Sequence, residues 1–295
     1  MVTGVLELVL QQVVNGLLVG SIYAVMALGL MVILGILNVL NMAQGELYML
    51  GGYFSYYAIS LFGVDYFTSI LLAMLGAAVV GVAVERLAVR PLLGRSVFTV
   101  FLSTFAVSMM LQDLAQILWS PDPREIPTPF AAKPIALGPI LLTTQRIFIF
   151  LLAVAAVTGF WAFLRWSRAG MAIRALAKDR DAALLMGINA DRMHAATFAL
   201  GAALAAAAGA LLGAMFNVYP TMGELPLLKG FAVVIMGGMG STGGVFAAGL
   251  ILGIAEGLTA GFFSTGYVDM VAFGTLIVVL LINPRGIAHW GRSGA

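Results

Sequence analysis

From residue 8 to residue 37 the chain runs as one apolar stretch, broken by Asn15, Ser21 and Tyr23. At about 1.5 Å per residue this is longer than the ~20 residues that one crossing of a bilayer needs. The stretch therefore reads as one long tilted helix or as two short pieces. Similar segments follow at 51–62, 66–84, 97–118, 147–164, 195–218 and 251–262, with a last one before Asn283. With 62% hydrophobic and 9% charged residues and a mean hydropathy of +1.05, such a pattern excludes a soluble domain. The expected fold is all-α: a polytopic transmembrane helix bundle of about nine spans, broken or re-entrant segments among them, forming a single transmembrane domain over residues 1–295. The first residues, MVTGVLELVLQQ, carry no basic n-region or small-residue cleavage site, so the first segment is expected to be retained.

Polar residues then set the orientation. Residues 165–194 form a long polar interruption holding six of the fifteen Lys and Arg: Arg165, Arg168, Arg174, Lys178, Arg180 and Arg192. Basic loops of this length stay on the cytoplasmic side. Arg86, Arg90 and Arg95 mark a second cytoplasmic loop, and Arg285, His289 and Arg292 place the C-terminus on the same side. No Lys or Arg precedes Arg86, which puts the N-terminus outside if the first stretch crosses once. Within 165–194, Ile173, Leu176, Ala177, Leu184 and Leu185 recur near helical spacing, which predicts one helix over 171–186 stopped by Gly187. Its apolar side chains cannot be buried within the loop, so it is a docking surface for a partner or a segment lying on lipid headgroups.

Several chemistries are excluded. The chain has no cysteine, and its two histidines, His194 and His289, lie far apart, so neither a metal site nor a His-based catalytic dyad is expected. The three lysines are followed by Pro134, Asp179 and Gly230, which leaves no phosphate-binding G-x-x-x-x-G-K-[ST] phrase and predicts no ATP hydrolysis and no cofactor in this chain. The net charge is +2, and no basic run alternates with aromatics, so nucleic acid is not an expected partner.

What remains is a set of polar groups at membrane depth. Asn41, Gln44 and Glu46 lie in a polar patch between two apolar segments, and Glu224 and Glu256 fall in later ones. Intramembrane acids are costly and mark pathways by default, so these five are the candidate pathway residues, with Lys229 or a residue of a partner subunit able to pair with Glu256. Segment 97–118 carries Ser103, Thr104, Ser108, Gln112 and Asp113, too many polar groups to face lipid. Residues 119–146 are rich in proline and read as an irregular external loop. Gly201, Ala205, Gly209 and Gly213 form one four-residue repeat, and Gly249, Gly253, Gly257 and Gly261 another. Such ridges let helices approach closely, within the bundle or against a second subunit. Finally, Asn217-Val218 through Gly223-Glu224-Leu225 echoes Asn38-Val39 through Gly45-Glu46-Leu47, the mark of an internal duplication around a central site.

Three phrases carry a resemblance. Asp181, Ala182, Ala183 and Gly187 spell D-A-A-x-x-x-G, similar to the E-A-A-x-x-x-G loop of permease subunits in ATP-binding-cassette importers, with Asp for Glu; Gly170, Ile173, Arg174 and Ala175 precede it as G-x-x-I-R-A. Asn41, Ala43, Gly45 and Glu46 spell N-x-A-x-G-E, and Pro220, Met222, Gly223 and Glu224 lead into Gly237, Gly238, Met239, Gly240, Ser241 and Gly244. Together these resemble the branched-chain amino acid permeases of that superfamily. The resemblance implies a coupling helix built on Arg174, Asp181, Ala182, Ala183 and Gly187. It also implies a second homologous permease, two cytoplasmic ATPase subunits, an extracytoplasmic binding protein and a place in the bacterial inner membrane. A ribose-type sugar permease and a proton- or sodium-driven transporter working through the acids are the alternatives, and a membrane enzyme is the weakest reading.

Overall fold

The computed structural model describes residues 2–129, 134–137, 140–283 and 286–287; Arg285, His289 and Arg292, on which the C-terminal side was argued, lie outside them. The first apolar stretch is a single helix, α1 (Val2–Leu37), with no break at its polar residues. There follow α2 (Gln44–Phe62), α3 (Tyr66–Val84), α4 (Val97–Trp119), α5 (Thr144–Trp166), α6 (Arg168–Lys178), α7 (Arg180–Leu185), α8 (Ala190–Met215), α9 (Glu224–Gly237), α10 (Thr242–Phe262) and α11 (Val268–Ile282). Seven described helices are long and apolar enough to cross a membrane, against the nine spans expected. The difference lies in α2 and α9. Each starts at a break in the chain, α2 holds the polar Gln44 and Glu46 in its first turn, and α9 has only 14 residues.

Two other expectations are corrected. The helix predicted over 171–186 is two helices, because Asp179 adopts extended backbone (φ −155°) and its carboxylate accepts the Ala182 amide, capping α7. An Asp at that point ends one helix and starts the next more readily than it sits inside one. The proline-rich region is not irregular throughout: β1 (Pro134–Leu137) and β2 (Ile140–Thr143) form a short antiparallel hairpin ahead of α5.

Both glycine ridges pack inside the bundle. A Cβ at Gly253 would lie 2.2 Å from the Gly16 carbonyl oxygen, and one at Gly249 2.8 Å from that of Gly20, so α1 and α10 touch backbone to backbone. Gly257 and Gly261 continue that contact along α1 at Gln12. Gly201 meets Gly29 of α1, Gly209 meets the Tyr48 carbonyl of α2, and Gly213 meets Val218 and Ile126. These approaches let main-chain atoms pack where any side chain would hold the helices apart.

The packing follows a two-fold exchange. α1 lies on α10, and α8 lies on α3 through Gly81 with Phe198 and Ala202. α2 packs on α8 through Gly51 and Ala206, and α9 packs on α1 through Gly230 with Met26 and Leu30. The first half of α1 passes Arg146, whose guanidinium donates to Asn15, and the helix ends beside Arg165 and Arg174; α8 runs the other way, from the basic end to Ala214. The two halves are therefore inverted relative to each other. Among these seven helices α1 is the most deeply buried and α8 the next, whereas α4 and α11 line the outside of the bundle.

Candidate functional site

The two echoing phrases meet. A Cβ on Gly223 would lie 2.0 Å from the carbonyl oxygen of Gly45, and one on Gly45 2.8 Å from that of Gly223, so the breaks ahead of α2 and α9 touch through their main chains. The register of the echo also runs further than the short match in the sequence suggests. At a constant offset Leu47 matches Leu225, Leu50 matches Leu228, Gly52 matches Gly230 and Tyr53 matches Phe231. Extending the alignment past the glutamate would have revealed this from sequence alone.

The contact brings the first turns of α2 and α9 together, and with them Glu46 and Glu224. Both are held from α4. Ser108 donates to Glu46 at 3.1 Å, and Gln112 Nε2 donates to Glu224 at 2.6 Å. One turn back along α4, Thr104 donates to the Leu40 carbonyl and its hydroxyl oxygen accepts the Met42 amide, both at 3.2 Å, which pins the first break. Thr104, Ser108 and Gln112 are spaced by four and so share one face of the helix. Of the five polar residues expected on this segment, these three face the site. Ser103 instead donates to the Ala88 carbonyl, and Asp113 is exposed on the outer side.

Asn41 and Gln44 do not face open space. Asn41 accepts the Ala43 amide and donates to Gln44, and Gln44 donates to the Gly201 carbonyl at 2.8 Å, so both shape the break itself. Glu46 is 3% exposed, and its Oε2 has no hydrogen-bond partner among the described residues. Glu224 lies open, at the rim of a cavity of about 520 Å³ lined by Tyr23, Tyr48, Thr221, Met222 and Lys229 among others.

Glu256 is held by two residues of that lining. Lys229 lies 2.9 Å from Glu256 and 3.0 Å from Asp269, and Tyr23 donates to Glu256 at 3.3 Å. Of the two partners expected for Glu256, Lys229 or a residue of another subunit, the structure shows Lys229. Asp269 and Tyr23 were missed, since an Asp opening α11 reads as an ordinary first-turn acid.

At the basic end, α6 and α7 lie against the bundle by one face only. Leu176, Ala183 and Ala190 are buried together, while Leu184, Leu185 and Met186 are 43%, 89% and 83% exposed. Arg174, Asp181 and Ala182 are exposed as well. Gly187 has φ +81° with open space around it, and the Ile188 amide reaches back to the Ala183 carbonyl. This is a glycine-terminated helix end of the kind only a residue without Cβ adopts readily.

Comparison with known proteins follows the same lines. Residues 12–280 match the family model described as branched-chain amino acid transport system / permease component. The chain is 38% identical to the high-affinity branched-chain amino acid transport system permease protein BraD of Pseudomonas aeruginosa over 94% of this chain and 95% of that protein. It is 37% identical to LivH of Escherichia coli K12, a permease protein of the same description, over 94% of each. LivM, a second permease protein so described from that organism, is 26% identical over 92% of this chain and 68% of its own length. A solved structure of PsaBC from Streptococcus pneumoniae in complex with Fab superposes with a TM-score of 0.50 at 12% identity, covering 95% of this chain and 94% of that one, a likeness of fold alone.

Proposed function

Because the chain belongs to the branched-chain amino acid transport system permease family, we propose that it forms one half of the translocation pathway of an ATP-driven importer for branched-chain or related small amino acids. It is a multi-pass membrane protein, and its place in this reading is the bacterial inner membrane. The observation that carries the reading is the exposed Leu184, Leu185 and Met186 on α7 and its end, at the basic side of the bundle, on a segment whose other face is already docked. An apolar patch of that kind is a docking site, and an ATPase subunit is its occupant. ATP binding closes the ATPase pair, α6 and α7 move with it, and the bundle shifts between two openings.

Two further features support the assembly. α4 presents Asp113 and Gln116 among exposed Met109, Met110, Leu114 and Ile117. A carboxylate at membrane depth is disfavoured against lipid, so a second permease covers this face, as two permease proteins of one transport system in one organism suggest. At the end opposite the basic loop, the cavity beside Glu224 receives the amino acid from an extracytoplasmic binding protein. A driving ion is not required, since the docking segment supplies the coupling. The chain itself performs no ATP hydrolysis.

Gly187→Val tests the reading. Space around Gly187 is open, so the cost is conformational, on the order of 1–3 kcal/mol for a β-branched residue at positive φ. The variant is expected to insert and pair with the second permease while losing ATPase co-purification and substrate accumulation. Normal values for both would make residues 165–194 a solvated loop and remove the main support for an importer.

A further inference from the structure

The last turns of α3 leave the α-helical path: Glu85–Val89 form a π-turn and Arg90–Leu92 a 3-10 turn. Pro91 supplies the cause. It lacks an amide hydrogen, and its ring crowds the carbonyl of Leu87 four residues back. The helix widens ahead of it, and the Arg90 amide reaches back to the Glu85 carbonyl. Isolated π-turns concentrate at functional bends.

This turn is bonded on two sides. The Ala88 carbonyl accepts the Ser103 hydroxyl of α4 at 2.9 Å. Arg90 Nε donates to the fully buried Glu85 carboxylate at 3.1 Å, and its Nη2 donates to the main-chain carbonyl of Asp191 at 2.9 Å. Its Nη1 lies 3.9 Å from the Asp191 carboxylate. Asp191 stands in the first turn of α8, directly after Gly187-Ile188-Asn189, where the exposed segment ends. The planar guanidinium serves two acceptors in different directions, which an ammonium on a flexible stem does poorly. Because it grips a main-chain oxygen, Arg90 follows the position of α8 itself.

We propose that Arg90 is a positioning residue for transport: it carries displacement of the ATPase-docking segment into the π-turn of α3, and Ser103 passes it to α4, which holds Glu46 and Glu224. The proposal rests on the docking reading above. From the first turn of α8 the chain of contacts is direct, Asp191 to Arg90 and Ala88 to Ser103 by hydrogen bonds and then along α4 to Ser108 and Gln112, and only the short turn Gly187-Ile188-Asn189 joins α7 to its start.

The test uses the assembled transporter, with both permeases, the ATPases and the binding protein, in proteoliposomes. Arg90→Ala is expected to keep its ATPases, yet to lose at least about fivefold in substrate moved per ATP and in stimulation of hydrolysis by loaded binding protein, the lower end of typical coupling between sites. Arg90→Lys should recover part of both. Unchanged transport per ATP in Arg90→Ala overturns the proposal. Should that variant fail to assemble because Glu85 is left buried and unpaired, Ser103→Ala decides, since it uncovers no charge: a fall in transport per ATP supports the relay, and a wild-type value overturns it. A Gly187→Val protein that keeps its ATPases would instead sink the docking reading, whatever Arg90 does.

Discussion

The two halves of the bundle start alike and differ one turn later. Gly45-Glu46-Leu47 and Gly223-Glu224-Leu225 occupy matching places, and five residues past each glutamate the first half has Gly51 where the second has Lys229. At Gly51 the backbone of α2 lies against α8, so close that a Cβ would sit 2.2 Å from the Ala206 Cα. At Lys229 a long cation takes that place, paired to Glu256 and Asp269, and it lines the open cavity beside Glu224. Glu46, in the sealed half, is buried; Glu224, in the open half, is not. One repeated frame thus gives a rigid side and a side with room for a solute, and the exchange of a single residue type, Gly for Lys, goes with the change.

That contrast can be broken most severely at the cation. Lys229→Met strands Glu256 and Asp269 without their shared counter-charge, and losing one partner of a buried pair costs about 3–5 kcal/mol. Thermal unfolding of the purified permease should show the loss, and adding Glu256→Gln should recover part of it. If Lys229→Met is as stable as the wild type, the cluster is no part of what holds the open half.

Smaller is the effect of Gly51→Ala, which forces α2 and α8 apart and should cost about 1–3 kcal/mol, the usual range for overpacking. The open half should tolerate bulk: Leu225→Phe, at an exposed position beside the cavity, is expected within ±0.5 kcal/mol. Equal losses in the two variants would mean that the halves do not differ in packing.

The acids should matter to transport more than to stability. Glu46→Gln removes a buried charge held by one hydroxyl, so stability should be unchanged or rise by about 1 kcal/mol. Transport by Glu46→Gln and Glu224→Gln should nonetheless fall, with assembly intact. Wild-type uptake in both would make these carboxylates packing detail.

Much of this could be read from the chain. The breaks, their echo, the glycine ridges and the stop at Gly187 all rest on residue types whose physics is local and strong. Other features needed the fold. Asp179 divides α6 from α7 because an Asx side chain caps a helix better than it continues one, and periodicity alone joined the two. The π-turn before Pro91 has no signature beyond the proline. Which of the five polar groups on α4 face inward depends on where the breaks lie, although the spacing of Thr104, Ser108 and Gln112 already marks one face. The ridges left open whether their partner was inside the chain, and only the packing of α1 on α10 and of α2 on α8 answers it.

The contact between Gly45 and Gly223 has a mechanical meaning. Two main chains that touch without side chains between them can neither close further nor slide past a bump, but they can turn against each other, so the point serves as a fulcrum. α2 has 19 residues, about 28 Å at 1.5 Å per residue, so a turn of about 5° at its buried end carries its far end about 2.5 Å. The inverted α9, with 14 residues, swings the opposite way through a shorter arc. One small rotation at the centre would then loosen one mouth of the bundle as it tightens the other, with no helix needing to bend.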